Sequence, residues 1–218
     1  MRRRESMNAY DVEHVPRAIV AKKHYTVRQT YWITYEAVRT IRHFARLRSG
    51  REQFTERIML AVTEVNGCAL CAYGHTRFAL EAGLSGDEVR ELLGGAATRV
   101  PDDELPAIAF AQHYADTEGH PDRLAWETLV DNYGHECALG ILGAVRMMMW
   151  GNAVGIPWSA LLSRLRGAPY PASSLRSEIG TIVGDGSVMP VAAIHAAISG
   201  MCTFRCGGVP AGPTTRQG

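Results

Sequence analysis

No sign of charge dominates this chain: 23 Lys and Arg stand against 22 Asp and Glu in 218 residues, a formal net charge of +1. A protein without a basic excess has no field to gather nucleic acid or acidic lipid, so neither is expected as a partner. Long apolar runs are missing too. No stretch reads as the roughly 18 consecutive apolar residues of a membrane span, and no membrane partner is expected. The start, MRRRESMNAYDVEH, has arginines but no apolar segment after them, so it does not read as a signal peptide. Cysteine is scarce and odd in number, five in all, and its spacing is not that of a secreted disulfide scaffold. The chain therefore reads as cytoplasmic, with one close cysteine pair and three other thiols. Its length suggests one domain with an appendage, large enough to bury a core unaided.

The informative stretch is ERIMLAVTEVNGCALCAYGHTRFALEAG, Glu56 to Gly83. Asn66-Gly67 is a turn, and a helix is predicted from Ala69 to Ala82, with Gly83 as its left-handed stop. Cys68 and Cys71 then stand in or just before the first turn, close enough for a disulfide. His75 is four residues beyond Cys71, on the same face. The positive end of the helix dipole favours a thiolate there, the species that attacks peroxides and disulfides.

Around this stretch the apolar spacing predicts helices. The first runs from Thr26 to Arg48, with Arg39, Arg42, Arg46 and Arg48 in its second half, read as a solvated face. The next starts near Glu52 and is apolar on several sides, as a central helix is. Its Glu56 admits two readings: an exposed acid suited to a first turn, or a buried carboxylate beside Met59 and Thr63, placed for proton transfer. Glu64, four residues before Cys68, is a second candidate. Short helices follow, to about Leu93 and from Asp103 or Glu104 towards Gly119. Pro121-Asp122 opens another, and Gly134 separates it from an apolar helix ending near Trp150. Met147, Met148 and Met149 read as core filler. Asn152 and Gly155 read as a joint before a last short helix from Ile156 to Leu165. Cys137 reads as a buried small hydrophobe, and His113, His120, His135 and His195 as surface or core. From Gly167 glycine and proline take over, and Val191 to Ile198 fits helix or strand equally. The domain plan is an arm over 1–25, a helical domain over 26–166 and an extension over 167–218, disordered after Pro210.

The set Glu56-x11-Cys68-x2-Cys71-x3-His75 resembles the motif of alkylhydroperoxidase D-like proteins of the carboxymuconolactone decarboxylase superfamily. The GLS joint at Gly83-Leu84-Ser85, the Tyr133-Gly134 pair and Asn152 are similar as well, and the likeness spans roughly residues 15 to 166. The resemblance implies an all-α domain that assembles into a homo-oligomer such as a trimer or hexamer. It implies a cofactor-free thiol peroxidase in which Cys71 attacks the hydroperoxide, Cys68 resolves the product, and Glu56 and His75 relay protons. It favours Glu56 over Glu64. The implied reductant is an external dithiol, a lipoyl group or a thioredoxin-like protein. One position departs from the pattern: where the family's peroxidases carry a histidine between the cysteines, this chain has Leu70. Two alternatives remain: a lactone decarboxylase or hydrolase, and a non-enzymatic metal-binding or oligomeric protein, in which Cys68, Cys71 and His75 supply three zinc ligands and Cys202 and Cys206 could add more.

Overall fold

The computed structural model describes residues 21–171 and 173–205, with the side chains of 200–205 left out. Most of the arm over 1–25 and the end after Pro210 lie outside those residues. Seven helices and no strands make up the described chain: α1 Val27–Arg48, α2 Glu52–Asn66, α3 Ala69–Glu81, α4 Gly86–Leu93, α5 Leu105–Asp116, α6 Arg123–Leu165 and α7 Leu175–Arg205. The helix starts follow local chemistry. Thr26 caps α1 in a reciprocal box with Gln29, Ser85 accepts from the Glu88 N–H of α4, and Asp122 accepts from the Ala125 N–H of α6.

The central helix is α2. Ile58, Leu60, Ala61 and Val62 are fully buried, because α5, α6, α3 and α4 surround it. A buried cluster fixes α4 and α5 to it. Arg57 Nε donates to Glu88 at 2.6 Å, and Arg57 Nη1 donates to both Glu104 oxygens at 3.0 and 3.1 Å. The last residues of the arm belong to this core. Tyr25 is buried and its hydroxyl donates to Asn66 Oδ1 at 2.8 Å, while the Lys22 and Lys23 N–H groups reach the Asn66 carbonyl. The methionine run fills the core as its composition predicts: Met148 and Met149 are buried, and Met149 Sδ accepts from Asn66 Nδ2 at 3.3 Å.

Two sequence expectations change in the second half. The joint at Asn152 and Gly155 is not a break, since α6 runs through it, and through Pro157, to Leu165. Its one kink is at Gly134, whose φ of 71° only glycine adopts freely. The glycine-rich region from 175 is a 31-residue helix, α7, packed along α1 and α6. A Cβ on Gly184 would stand 2.5 Å from Val27 Cγ2, so this glycine permits close approach to α1 instead of breaking the helix. Glu178 closes the α6–α7 contact by accepting from Arg164 Nε at 2.9 Å. Asp185 faces α1 beside Thr30 and is buried with neither carboxylate oxygen hydrogen-bonded. Burial raises its pKa above the usual carboxylate range, and the neighbouring Thr30 hydroxyl only partly opposes this.

The reading on membrane spans also needs correction. By length and composition alone, Arg123–Leu165 and Leu175–Ser199 each hold an 18-residue window, of mean hydropathy 1.3 and 1.4, apolar enough to cross a bilayer. Scattered Gly, Ser and Thr interrupt any unbroken apolar run in both helices. The first is mostly a buried core helix. The second leaves Leu175, Ile179, Val183, Val191, Ile194 and Ile198 exposed on its outer side.

Candidate functional site

The site forms where α2 ends and α3 begins. Asn66 is the last residue of α2, and Gly67 turns the chain with φ 73°, a left-handed cap that suits glycine. The next residue, Cys68, is the N-cap of α3 and accepts from the Cys71 N–H at 3.2 Å through its sulfur. Cys68 and Cys71 are joined as a disulfide with their Cα atoms 5.3 Å apart. Cys68 is wholly buried, and Cys71 is the partly exposed residue of the pair.

One turn further on, His75 Nδ1 lies 2.7 Å from Glu56 Oε2. Glu56 has no solvent exposure, which decides between its two sequence readings for the buried one. Its other oxygen, Oε1, is 2.9 Å from Arg48 Nη1. That contact is a close ion pair outside hydrogen-bonding alignment, so Oε1 keeps an acceptor position without an aligned donor. Glu64 is elsewhere, in an ion pair with Lys22. Leu70 projects outward, its backbone N–H donating to Ser159 Oγ at 3.1 Å.

Helix α6 closes the back of the disulfide. The Gly151 carbonyl oxygen is 3.4 Å from Cys71 Sγ, and in the reduced protein the Cys71 S–H can donate to it. Buried Asn152 ties α6 to α2, its Oδ1 accepting from Thr63 Oγ1 at 3.4 Å. Gly155 lies directly against the sulfurs: a Cβ there would stand 2.6 Å from Cys71 Sγ and 2.7 Å from Cys68 Sγ.

Gly155 and Arg48 are the site residues that sequence reasoning misplaced. Arg48 was grouped with a solvated face, and Gly155 with a joint. The signal for Gly155 was a glycine inside an otherwise continuous apolar helical pattern, which often marks close approach. Gly155→Ala is expected to push α6 from α3, lowering stability by about 1–3 kcal/mol and slowing reformation of the disulfide after reduction. Gly151→Ala is the control, since its Cβ meets only the flexible end of Met148 at 3.2 Å. Thermal unfolding and the rate of thiol loss after removing reductant measure both. Equal behaviour of the two variants would remove the close-packing role of Gly155.

The other residues singled out from sequence do not join the site. His195 Nδ1 pairs with the Tyr31 hydroxyl at 2.8 Å between α1 and α7, and His113 lies near Asp122 at the surface. Among the described residues no three His, Cys, Asp or Glu side chains converge as a metal site, while Cys202 and Cys206 fall outside the described side chains.

Among the described residues the class is thus all-helical, with a disulfide at a helix start and a carboxylate–imidazole pair one turn away. Residues 35–112, which contain Glu56, Cys68, Cys71 and His75, match the model of the carboxymuconolactone decarboxylase family. No curated protein and no solved structure matches the chain.

Proposed function

We propose that the protein is a thiol-dependent peroxidase, a dithiol–disulfide oxidoreductase that reduces hydroperoxides through Cys71 and Cys68. The observation that supports this most is the Glu56–His75 contact of 2.7 Å one turn from a disulfide whose Cys71 residue is partly exposed. In the reduced protein, His75 donates Nδ1–H to Glu56 and offers Nε2 to the Cys71 thiol proton. The Cys71 thiolate attacks the distal oxygen of the hydroperoxide. The O–O bond breaks, Cys71 becomes a sulfenic acid, and the departing alkoxide takes a proton from His75. The Cys68 thiol then attacks the Cys71 sulfur, forming the disulfide and releasing water. An external dithiol, a lipoyl group or a thioredoxin-like protein, reduces the pair by exchange and is itself oxidised to a disulfide.

Leu70 supplies no second imidazole, so in this reading the relay rests on His75 alone. The reading places the protein in the reducing cytoplasm, where such a pair can cycle. It also includes a homo-oligomer, since the exposed apolar ridge of α7 is a surface that a second copy could cover.

The test is peroxide consumption with a panel of reductants: dihydrolipoamide, a thioredoxin system and a monothiol. Peroxide loss matched one-for-one by dithiol oxidation is the expected result. The family match also leaves lactone decarboxylation as a second reading. Turnover of a lactone with no change in thiol count, and no peroxide loss with any reductant, would favour it.

A further inference from the structure

A second place on the molecule brings a thiol together with unpaired cations. Between the last turns of α1, the Ser49–Arg51 linker and α6 just past its kink lies a cavity of about 270 Å³. His43, Arg46, Ser49, Arg51, Glu136 and Cys137 line it. Cys137 is partly exposed and carries a free thiol, which corrects its reading as a buried hydrophobe. Arg51 Nη1 donates to Cys137 Sγ at 3.6 Å. Neither Arg51 nor Arg46 has a carboxylate partner among the described residues, whereas Arg48, Arg57, Arg77 and Arg164 each do.

The charge of this lining is positive at neutral pH. Arg46 and Arg51 outnumber Glu136, and His43 stays neutral because burial, and then neighbouring Arg42, lower its pKa. Two guanidinium groups beside a cavity suit a carboxylate, which they bind through paired N–H donors.

We propose that this cavity is a second thiol site, where Arg46 and Arg51 hold the carboxylate of a small acidic disulfide while Cys137 exchanges with it. Cys137 loses its proton and its sulfur attacks one sulfur of the disulfide. That S–S bond breaks, one half remains on Cys137 as a mixed disulfide, and the other leaves as a thiol carrying the proton. No further oxidant is needed. The site is chemically separate from Cys68 and Cys71.

The test compares two disulfide probes on the full-length protein without reductant: 5,5′-dithiobis(2-nitrobenzoate), which carries carboxylates, and neutral 4,4′-dithiodipyridine. Adduct formation on the Cys137 peptide is followed by mass spectrometry, which separates it from Cys202 and Cys206. The ratio of anionic to neutral rates at Cys137 is expected to fall about tenfold in Arg46→Gln and in Arg51→Gln, and to fall as salt is raised. The neutral probe reports unwanted opening of the fold, because loss of packing would raise its rate as well. Arg46→Gln does not touch the sulfur, so its result is free of any direct effect on the thiol. A ratio unchanged in both variants, or a Cys137 inert to both probes in the folded protein, overturns the proposal.

Discussion

Cys71→Ser is expected to remove peroxide turnover, lowering the rate by at least about 10³-fold, the scale on which loss of a nucleophile acts. Cys68→Ser should behave differently. Its Cys71 can still attack one peroxide but has no neighbour to condense with, so the reaction stops at a sulfenic acid and proceeds to sulfinic acid in excess peroxide. The geometry gives the reason for the asymmetry. Cys68 is wholly buried as the helix cap, and Cys71 is the residue with partial solvent exposure. Mass spectrometry of peroxide-treated parent protein should show a loss of two hydrogens on the peptide over residues 58–77, which holds both cysteines. Sulfinic acid on Cys71 beside a free Cys68 in the parent protein would rule out the resolving role.

The next largest effect is expected at the carboxylate–imidazole pair. His75→Gln and Glu56→Gln should each slow Cys71 oxidation by about 10²-fold or more, the contribution of one positioned acid–base group. The two variants should differ in stability. His75 is partly exposed, and glutamine there can still donate to Glu56. Glu56 is wholly buried between Arg48 and His75, so neutralising it removes an ion pair as well as the relay, and its melting temperature should fall further. Arg48 keeps some solvent exposure, which softens that loss. The measurement is the rate of Cys71 oxidation across pH, with thermal unfolding alongside. If both variants follow the parent pH–rate curve, Glu56 and His75 serve the fold alone.

Much of this site is written in local sequence. The Asn66-Gly67 turn, the cysteine spacing and the position of His75 are relations along one short stretch. A left-handed glycine and a helical repeat of 3.6 residues convert them directly into geometry. The helix limits of α1 to α5 followed for the same reason, since apolar spacing and capping residues act within a few positions of themselves.

What neighbours decide was not legible in that way. Glu56 could have been an exposed first-turn acid. It is buried because α1 and α3 converge on it, Arg48 from one side and His75 from the other. Arg46 is only two residues from Arg48, yet the helical turn sends it to a different surface, against the Cys137 cavity. A run of arginines in sequence therefore splits into separate roles once the partners of each face are known. Gly155 and Gly184 look like breaks by propensity, since glycine costs a helix about 1 kcal/mol relative to alanine. Both lie inside continuous helices because packing outweighs that cost, and the missing side chain lets α6 reach the disulfide and α7 reach Val27. The sequence by itself determined the cysteine-bearing helix and the order of helices before it, through rules that act over a few residues. Only the tertiary structure decided which carboxylate meets His75, what covers the sulfurs and whether the glycine-rich end is a helix. Those outcomes depend on surfaces distant in sequence that meet when the chain packs.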